Sequence, residues 1–227
     1  MNEKRLKEFW NKEYKDPGMF ALSDEVSADL VKCVRWMMKE YGEDVLRPDT
    51  VVLDAGCGNG RNLLWLNEAF RVRGYGYDIS DEAIAQAQAH ADKQQWGNKL
   101  VFKVRSLDEL IPLEDESVDL VIDAMSSHFL KNIERERFIS EVALFFKSFY
   151  AERDTHTKEL LEKHGADEEN AYIHPKLKVY EYVWTDAALA ASFEKDFILM
   201  KKELSGKHHI KGKPAKRRSV VCYFEKK

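Results

Sequence analysis

The order of apolar and polar positions predicts alternating strands and helices over the first part of the chain. An apolar stretch at 50–54 ends in an acid, continues through glycines and leads into the helical spacing of Leu63, Leu64 and Leu66. A second apolar stretch ends in Asp78, and a third covers 100–105. This order is typical of an α/β fold whose parallel sheet is doubly wound.

Two helices are predicted before the first strand. The first covers 4–16 and ends at Pro17-Gly18, because proline and glycine interrupt a helix. The second begins at Ser23 as its capping residue and continues to about Tyr41. Later in the chain, Ser80 caps a further helix that extends to about Lys93.

The region after the apolar stretch that ends at Asp123 keeps alternative interpretations. Residues 134–142 read as helix, and Leu144–Tyr150 follows without a glycine or proline. A parallel crossover needs a turn there, so we favour an abbreviated strand five at 144–150. The alternatives are a helix that continues to His164, and a fifth strand exchanged between two chains. The segments 196–204 and 218–225 are predicted to be the two closing strands.

The glycines at 56, 58 and 60 form the candidate binding turn. Their spacing departs from the dinucleotide fingerprint, whose third glycine would stand at Arg61. Asp54 would repel a polyphosphate and suits a ligand that carries an ammonium group. A turn that merely links strand to helix is the other interpretation.

Residues 50–62 and 73–80 resemble the class I S-adenosylmethionine-dependent methyltransferases, whose first motif is apolar-apolar-Asp/Glu-x-Gly-x-Gly-x-Gly. The resemblance implies a Rossmann-like fold whose mostly parallel sheet ends in an antiparallel hairpin of 196–204 and 218–225. It also implies S-adenosylmethionine as cofactor, with S-adenosylhomocysteine as product. It covers 50–130 well and 185–225 loosely.

The resemblance also implies roles for single residues. It implies that Asp78 binds the ribose and Ile79 packs on the adenine. An acid that merely opens a helix is the alternative for Asp78. The other cofactor residues implied are Asp54, Gly56, Cys57, Gly58, Gly60, Ser106, Leu107, Asp108, Asp123 and Ala124.

Two parts of the predicted cofactor site keep alternatives. The residue that binds the adenine amino group is Leu107 by position, or Asp108 if one extra residue shifts the alignment. Trp10 and Tyr14 are expected to close over the cofactor as a lid, with Tyr14 reaching its carboxylate. Aromatic residues at helical spacing are also common in a plain core.

Composition and charge narrow the class of protein. The chain has 44% hydrophobic and 33% charged residues, no apolar stretch near 18 residues and no apolar signal sequence at its start. We therefore expect no association with a membrane. Its three cysteines are far apart, so we expect no metal site and a reducing, cytoplasmic setting. Residues 201–227 hold ten Lys and Arg against two Glu, although the net charge is −4.

We predict a single methyltransferase domain over 1–227. Its parts are a helical lid (1–48), a cofactor-binding core (49–150), a substrate-capping insertion (151–184) and a C-terminal helix with a β-hairpin (185–227). The insertion is polar and dotted with aromatic residues.

The expected reaction is in-line transfer of a methyl group to a small-molecule acceptor. Candidate general bases are His128 first, then His156 and His174. The alternatives are an RNA or protein methyltransferase that uses the basic C-terminal strands, and a non-catalytic cofactor-binding partner protein. Nucleic acid is thus a possible but less favoured partner, and the chain is expected to be a monomer or a homodimer.

Overall fold

The computed structural model describes residues 3–18, 22–109, 111–114, 117–140, 144–150, 155–205, 209–210, 213–214 and 218–227. These residues fall into two compact units, 3–122 and 123–227. Within the described ranges, no helix is long and apolar enough to cross a membrane.

The first unit alternates strands and helices as the apolar pattern predicts. The helices are α1 (Glu3–Lys15), α2 (Ala28–Tyr41), α3 (Arg61–Phe70) and α4 (Asp81–Ala91), with short 3-10 helices at Glu43–Val45 and Gly97–Lys99. The strands are β1 (Val51–Ala55), β2 (Arg73–Asp78), β3 (Leu100–Val104) and β4 (Leu120–Ala124), the last of which ends in the second unit.

The prediction that Ser23 caps α2 is wrong, since that helix begins at Ala28 after Ser27. The Ser23 hydroxyl instead accepts a hydrogen bond from Glu25 N at 3.0 Å, which is a local turn. Ser27 N donates to the side chain of Asn62 at 3.0 Å. The segment before α2 is therefore held by the start of α3, and these bonds override the local capping preference.

The second unit contains the remaining elements. They are a 3-10 turn (Ser127–Phe129), α5 (Asn132–Ser140), β5 (Leu144–Tyr150), α6 (Thr155–His164), β6 (Ala171–Ile173), β7 (Tyr180–Tyr182), α7 (Asp186–Phe193), β8 (Phe197–Leu204), β9 (His209–Ile210), β10 (Lys213–Pro214) and β11 (Arg218–Lys226). The abbreviated fifth strand is confirmed with the predicted bounds, and α7 is capped by the Thr185 hydroxyl.

Seven strands form one sheet in the order β3-β2-β1-β4-β5-β11-β8. Strands β1, β2 and β3 pair in parallel, whereas β11 pairs antiparallel with both β5 and β8. The α/β fold with a mostly parallel sheet and an antiparallel hairpin is therefore confirmed. Because β5 pairs with β11 of the same chain from Leu144 to Tyr150, the fold does not need an exchanged strand.

The two units have different cores. In the first, Leu53, Leu63 and Leu66 are completely buried between strand and helix. In the second, the core is aromatic: Phe146 lies 5.1 Å from Trp184, and Phe193 stacks on Phe224 at 4.2 Å between ring centres. Large rings bury much apolar area each, so a few of them can hold α7 against the sheet.

Candidate functional site

The glycine turn between β1 and α3 is built from left-handed backbone. Gly56, Gly58 and Gly60 have φ angles of 72°, 57° and 80°, which other residues seldom adopt. The N–H groups of Gly56 and Cys57 both donate to Tyr77 O, at 2.7 and 2.9 Å. The turn is thus fixed to the end of β2.

Asp78 at the end of β2 closes onto the same turn. Its carboxylate oxygens accept hydrogen bonds from Gly58 N at 2.9 Å and from Ser80 N at 2.8 Å. Burial raises the pKa of Asp78, and the backbone hydrogen bonds oppose that rise. A carboxylate offers about four acceptor positions, so these bonds leave room for further donors.

Tyr14 of α1 lies directly against the turn. A Cβ atom placed on Gly58 would collide with the Tyr14 hydroxyl oxygen. Burial and the nearby carboxylate of Asp78 raise the pKa of this hydroxyl far above its ordinary value, so it is neutral and can donate. Trp10 stands beside it on α1, with 6.2 Å between the ring centres.

Asp54 and Cys57 are both buried in this region. Burial raises the pKa of the Cys57 thiol, and the carboxylates of Asp54 and Asp78 raise it further. The thiol is therefore protonated and unsuited to act as a nucleophile. The same two acids give this part of the first unit a negative potential.

Residues 106–108 follow β3 and approach the end of β2. Arg105 N donates to Asp78 O at 2.8 Å, and Glu109 N closes a turn onto Ser106 O at 3.4 Å. Ser106, Leu107 and Asp108 are half-buried in this turn, as is Ile79. Contact of Leu107 or Asp108 with an adenine stays a prediction.

Sequence reasoning missed a set of polar contacts that hold α1 on α4. Asn11 accepts a hydrogen bond from the Ser80 hydroxyl at 2.7 Å, and Lys7 pairs with Asp81 at 2.9 Å. Gln86 donates to the carbonyl of Tyr14 at 2.8 Å. These partners are about seventy residues apart in the chain, and no local pattern marks Asn11.

The second unit contains the other predicted site residues. The Asp123 carboxylate is fully buried and accepts hydrogen bonds from Ser126 N and Ser127 N, both at 3.1 Å. Burial raises its pKa, and the serine hydrogen bonds oppose the rise. Ala124 is half-buried at the end of β4, and Met125 after it has a left-handed φ of 74°. This strained residue sits where the loop leaves the sheet.

The candidate histidines differ in their surroundings. His128 is 1% exposed and lies 4.1 Å from the ring of Phe129 and 4.9 Å from that of Phe149, measured between centres. His174 Nδ1 accepts hydrogen bonds from the backbone N–H groups of Lys176 and Leu177. These bonds occupy one of the two ring nitrogens that could accept a proton. His156 is half-buried in α6. The role of His128 as a base stays a prediction.

Comparison with known proteins shows what the segment around the glycine turn is similar to. Residues 52–148 match the sequence pattern of a family described as a methyltransferase domain. The fold matches a S-adenosylmethionine-dependent methyltransferase from Anabaena variabilis with a TM-score of 0.67 and 17% identity, covering 100% of this chain and 96% of that one. Residues 52–148 thus match a methyltransferase domain, and the fold of the chain is that of a S-adenosylmethionine-dependent methyltransferase.

Other relatives agree on the domain and differ in chemistry. Magnesium protoporphyrin IX methyltransferase from Synechocystis, solved with S-adenosylhomocysteine bound, has a TM-score of 0.63 and 18% identity, with 98% of this chain and 100% of that one covered. Ajmaline N-methyltransferase from Rauvolfia serpentina is 29% identical over 132 residues, 57% of this chain. Carboxy-S-adenosyl-L-methionine synthase from Methylococcus capsulatus is 27% identical over 109 residues, 47% of this chain. The matched segment spans 44% of each of these two curated relatives.

Proposed function

We propose that this chain transfers a methyl group from S-adenosylmethionine to a small-molecule acceptor. The observation that carries the proposal is the arrangement around Gly58. Its N–H binds Asp78, its missing side chain leaves room for the Tyr14 hydroxyl, and Asp78 is anchored by Ser80 as well. These groups fit the cofactor because they combine a bare backbone surface with a carboxylate that has spare acceptor positions.

Each residue in this arrangement has a separate task in the proposal. Asp78 would accept hydrogen bonds from the ribose hydroxyls, and Ile79 would pack on the adenine. Asp54, buried before the turn, would favour the cationic part of the cofactor. Tyr14 donates from a hydroxyl whose raised pKa keeps it neutral, and with Trp10 it would exclude water.

The bound cofactor supplies an electrophilic methyl group on a positively charged sulfur. The chain's contribution is then to align an acceptor with that group, and positioning alone is worth roughly 7–11 kcal/mol of a barrier. Such an enzyme needs no nucleophile of its own, which agrees with the protonated, buried state of Cys57. His128 is the candidate base for acceptors that must lose a proton.

The region 155–184 supports a compact acceptor. Tyr172, Tyr180, Tyr182 and Trp184 are all buried, and Arg135 of α5 stacks over the Tyr182 ring at 3.5 Å. Arg135 also forms an ion pair with Glu168. These contacts fix the β6–β7 hairpin rather than leave it as an open, adaptable surface for a macromolecule.

The basic C-terminal strands give less support to an RNA acceptor. Lys201 pairs with Glu203 at 3.2 Å, and Lys202 pairs with Asp186. Phosphate binding needs lysines whose charge is available to the backbone of the nucleic acid. These two lysines already have acidic partners in the same chain.

A transfer assay with a labelled methyl donor tests the acceptor class. The purified chain is incubated with the donor and separately with small-molecule, RNA and protein fractions of a cell extract. We expect label in the small-molecule fraction, and we expect Asp78→Ala to abolish it. Label that enters RNA or protein would contradict the small-molecule proposal. Absence of transfer to every fraction, despite cofactor binding, would favour a non-catalytic binder.

We also expect the chain to work in a reducing, cytoplasmic setting. Cys33, Cys57 and Cys222 are buried and form no disulfide. Thiols in this state are usual where the surroundings keep cysteine reduced. Determining the location of the tagged protein in cells would test this expectation.

A further inference from the structure

Strand β8 lies at one end of the seven-stranded sheet and carries an unusual run of exposed apolar residues. Ile198, Leu199 and Met200 are consecutive and 49%, 46% and 38% exposed, and Leu204 is 42% exposed. Within the described part of the chain, β8 pairs with a strand on one side only, β11. Three consecutive exposed apolar residues on such an edge are unfavourable unless something covers them.

The backbone polar groups of the outer edge can be assigned from the pairing with β11. Ser205 N donates to Ser219 O at 2.9 Å, so residue 205 turns its polar groups toward β11. Polar groups alternate in direction along an antiparallel strand. Lys202 and Leu204 therefore direct their N–H and C=O groups outward, where another strand can pair with them.

We propose that β8 pairs antiparallel with β8 of a second copy of this chain, with the two-fold axis at Lys202. Lys201 then faces Glu203 of the second copy, and Met200 faces Leu204 of the second copy. Each contact occurs twice because the interface is symmetric. The segment is thus complementary to itself in both charge and apolar character, and this selects a second copy as the occupant.

The proposed register also uses the geometry of antiparallel strands. Lys202 meets its own copy at a hydrogen-bonded position, whereas Lys201 and Glu203 meet at a non-hydrogen-bonded position, where side chains are closer. Lys201 and Glu203 already form an ion pair on one face of the strand, at 3.2 Å. Two copies would join these pairs into an alternating group of four charges.

The single like-charge contact in this register is relieved within each chain. Lys202 faces Lys202 of the second copy, but each forms an ion pair with its own Asp186 and a hydrogen bond with Tyr150 at 3.3 Å. An axis at Glu203 would instead place Glu203 opposite itself and Lys202 opposite Leu204. That register loses both the opposite-charge and the apolar matches.

The bulge in β8 restricts how far the pairing extends. The register with β11 shifts between Leu199 and Lys201, which interrupts the regular strand. Regular pairing is therefore centred on 201–204, with the exposed apolar residues 198–200 packing at its ends. A two-fold interface uses the β8 edge of both copies, so the assembly closes as a dimer rather than growing.

Charge exchange at 201 and 203 tests both the dimer and its register. The mass of the purified chain is measured by sedimentation over a range of concentrations, with circular dichroism as the check on folding. The wild type should dimerise. Glu203→Lys and Lys201→Glu should each raise the dimer dissociation constant by about tenfold or more, because every opposite pair becomes a like pair.

Two matched samples make the test decisive. The double variant Lys201→Glu/Glu203→Lys should dimerise again. An equimolar mixture of the two single variants should form a mixed dimer, although mixing cannot restore an ion pair within either chain. A wild type that stays monomeric, a Glu203→Lys variant that dimerises as well as the wild type, or a mixture that stays monomeric would each overturn the proposal.

Discussion

At the residue scale, Gly58 combines a left-handed backbone with close packing against Tyr14. Its φ of 57° disfavours any other residue, and a Cβ there would meet the Tyr14 hydroxyl. We predict that Gly58→Ala weakens S-adenosylmethionine binding by at least about tenfold, equal to about 1.4 kcal/mol. Calorimetric titration of the variant measures this loss.

Gly42 provides the matched control for that variant. It has a φ of 99°, but a Cβ there meets no atom within 4 Å. Gly42→Ala should lose about 1–3 kcal/mol of stability from backbone strain and keep the wild-type cofactor affinity. Equal loss of affinity in both variants would mean that instability, not the site, explains the effect at Gly58.

The buried carboxylate of Asp78 leads us to predict that cofactor binding depends on pH. Burial raises its pKa. In a pH window above the ordinary pKa of 3.8, Asp78 is therefore still protonated in the folded chain, whereas it is ionised in the unfolded chain. Its contribution to stability is greatest below the unfolded pKa and is lost as pH rises through the folded pKa, because the ionised form is the one that burial penalises. Only the ionised form accepts hydrogen bonds at all its positions.

We therefore predict that cofactor affinity falls when the pH is lowered into this window. Calorimetry at several pH values gives the dependence, and an NMR titration of the Asp78 carboxyl gives the folded pKa. The two midpoints should coincide. An affinity that stays constant through the NMR midpoint would show that the charge of Asp78 does not matter for binding.

At the element scale, several polar contacts attach α1 to α4. The Lys7 and Asn11 side chains hydrogen-bond to Asp81 and lower its pKa. The ion pair is exposed, so its contribution to global stability is at most about 1 kcal/mol. It is present above the ordinary pKa of Asp81 and is lost as pH falls through the lowered value.

We predict that Asp81→Ala loosens α1 without unfolding the chain. Amide exchange over 3–15 should become faster, whereas exchange in β1 and β2 should not change. Hydrogen-exchange mass spectrometry resolves these segments. Asp49→Ala is the control, since Asp49 forms an ion pair with nearby Arg47, at 3.2 Å. Unchanged exchange in α1 would show that the Asp81 contacts do not hold the helix.

Arg135 is the corresponding anchor of the β6–β7 hairpin. Its side chain is 4% exposed, stacks on Tyr182 and pairs with Glu168, which is 24% exposed. Removing one partner of a buried pair costs about 3–5 kcal/mol, and the partial exposure of Glu168 places the expected loss near the lower end. Chemical denaturation of Arg135→Ala measures it.

Arg137 on the same helix is exposed and serves as the comparison. Arg137→Ala should change the free energy of unfolding by no more than about 0.5 kcal/mol. If the two arginine variants were equally stable, the hairpin would not depend on Arg135.

The helices and strands were predictable where their signals are local. Ser80 and Thr185 cap α4 and α7 with their hydroxyls, as their sequence positions indicate. Ser23 failed as a cap because Asn59 and Asn62 bind the preceding segment, and these bonds connect residues about 35 positions apart. Strand β5 was predicted from its apolar pattern, although no glycine or proline precedes it to mark a turn.

At the scale of the whole molecule, the same distinction separates what was predicted from what was missed. Asp54, the glycines and Asp78 lie at the ends of adjacent strands, so a local pattern indicates that they converge. The Asn11 contact with Ser80 depends on how α1 packs against the start of α4, and no short sequence motif predicts that packing. The acceptor is still less predictable, because a fold supports many functions and does not by itself indicate the substrate.

The central claim is that Asp78 and the glycine turn bind S-adenosylmethionine, and calorimetric titration tests it most directly. The wild type and Asp49→Ala should bind the cofactor and S-adenosylhomocysteine with dissociation constants of about 1 μM, or −8.2 kcal/mol. Asp78→Ala should bind at least about a hundredfold more weakly, because hydrogen bonds to a charged acceptor contribute about 1.5–3 kcal/mol each. No binding by the folded wild type, or equal affinity in Asp78→Ala, would contradict the account.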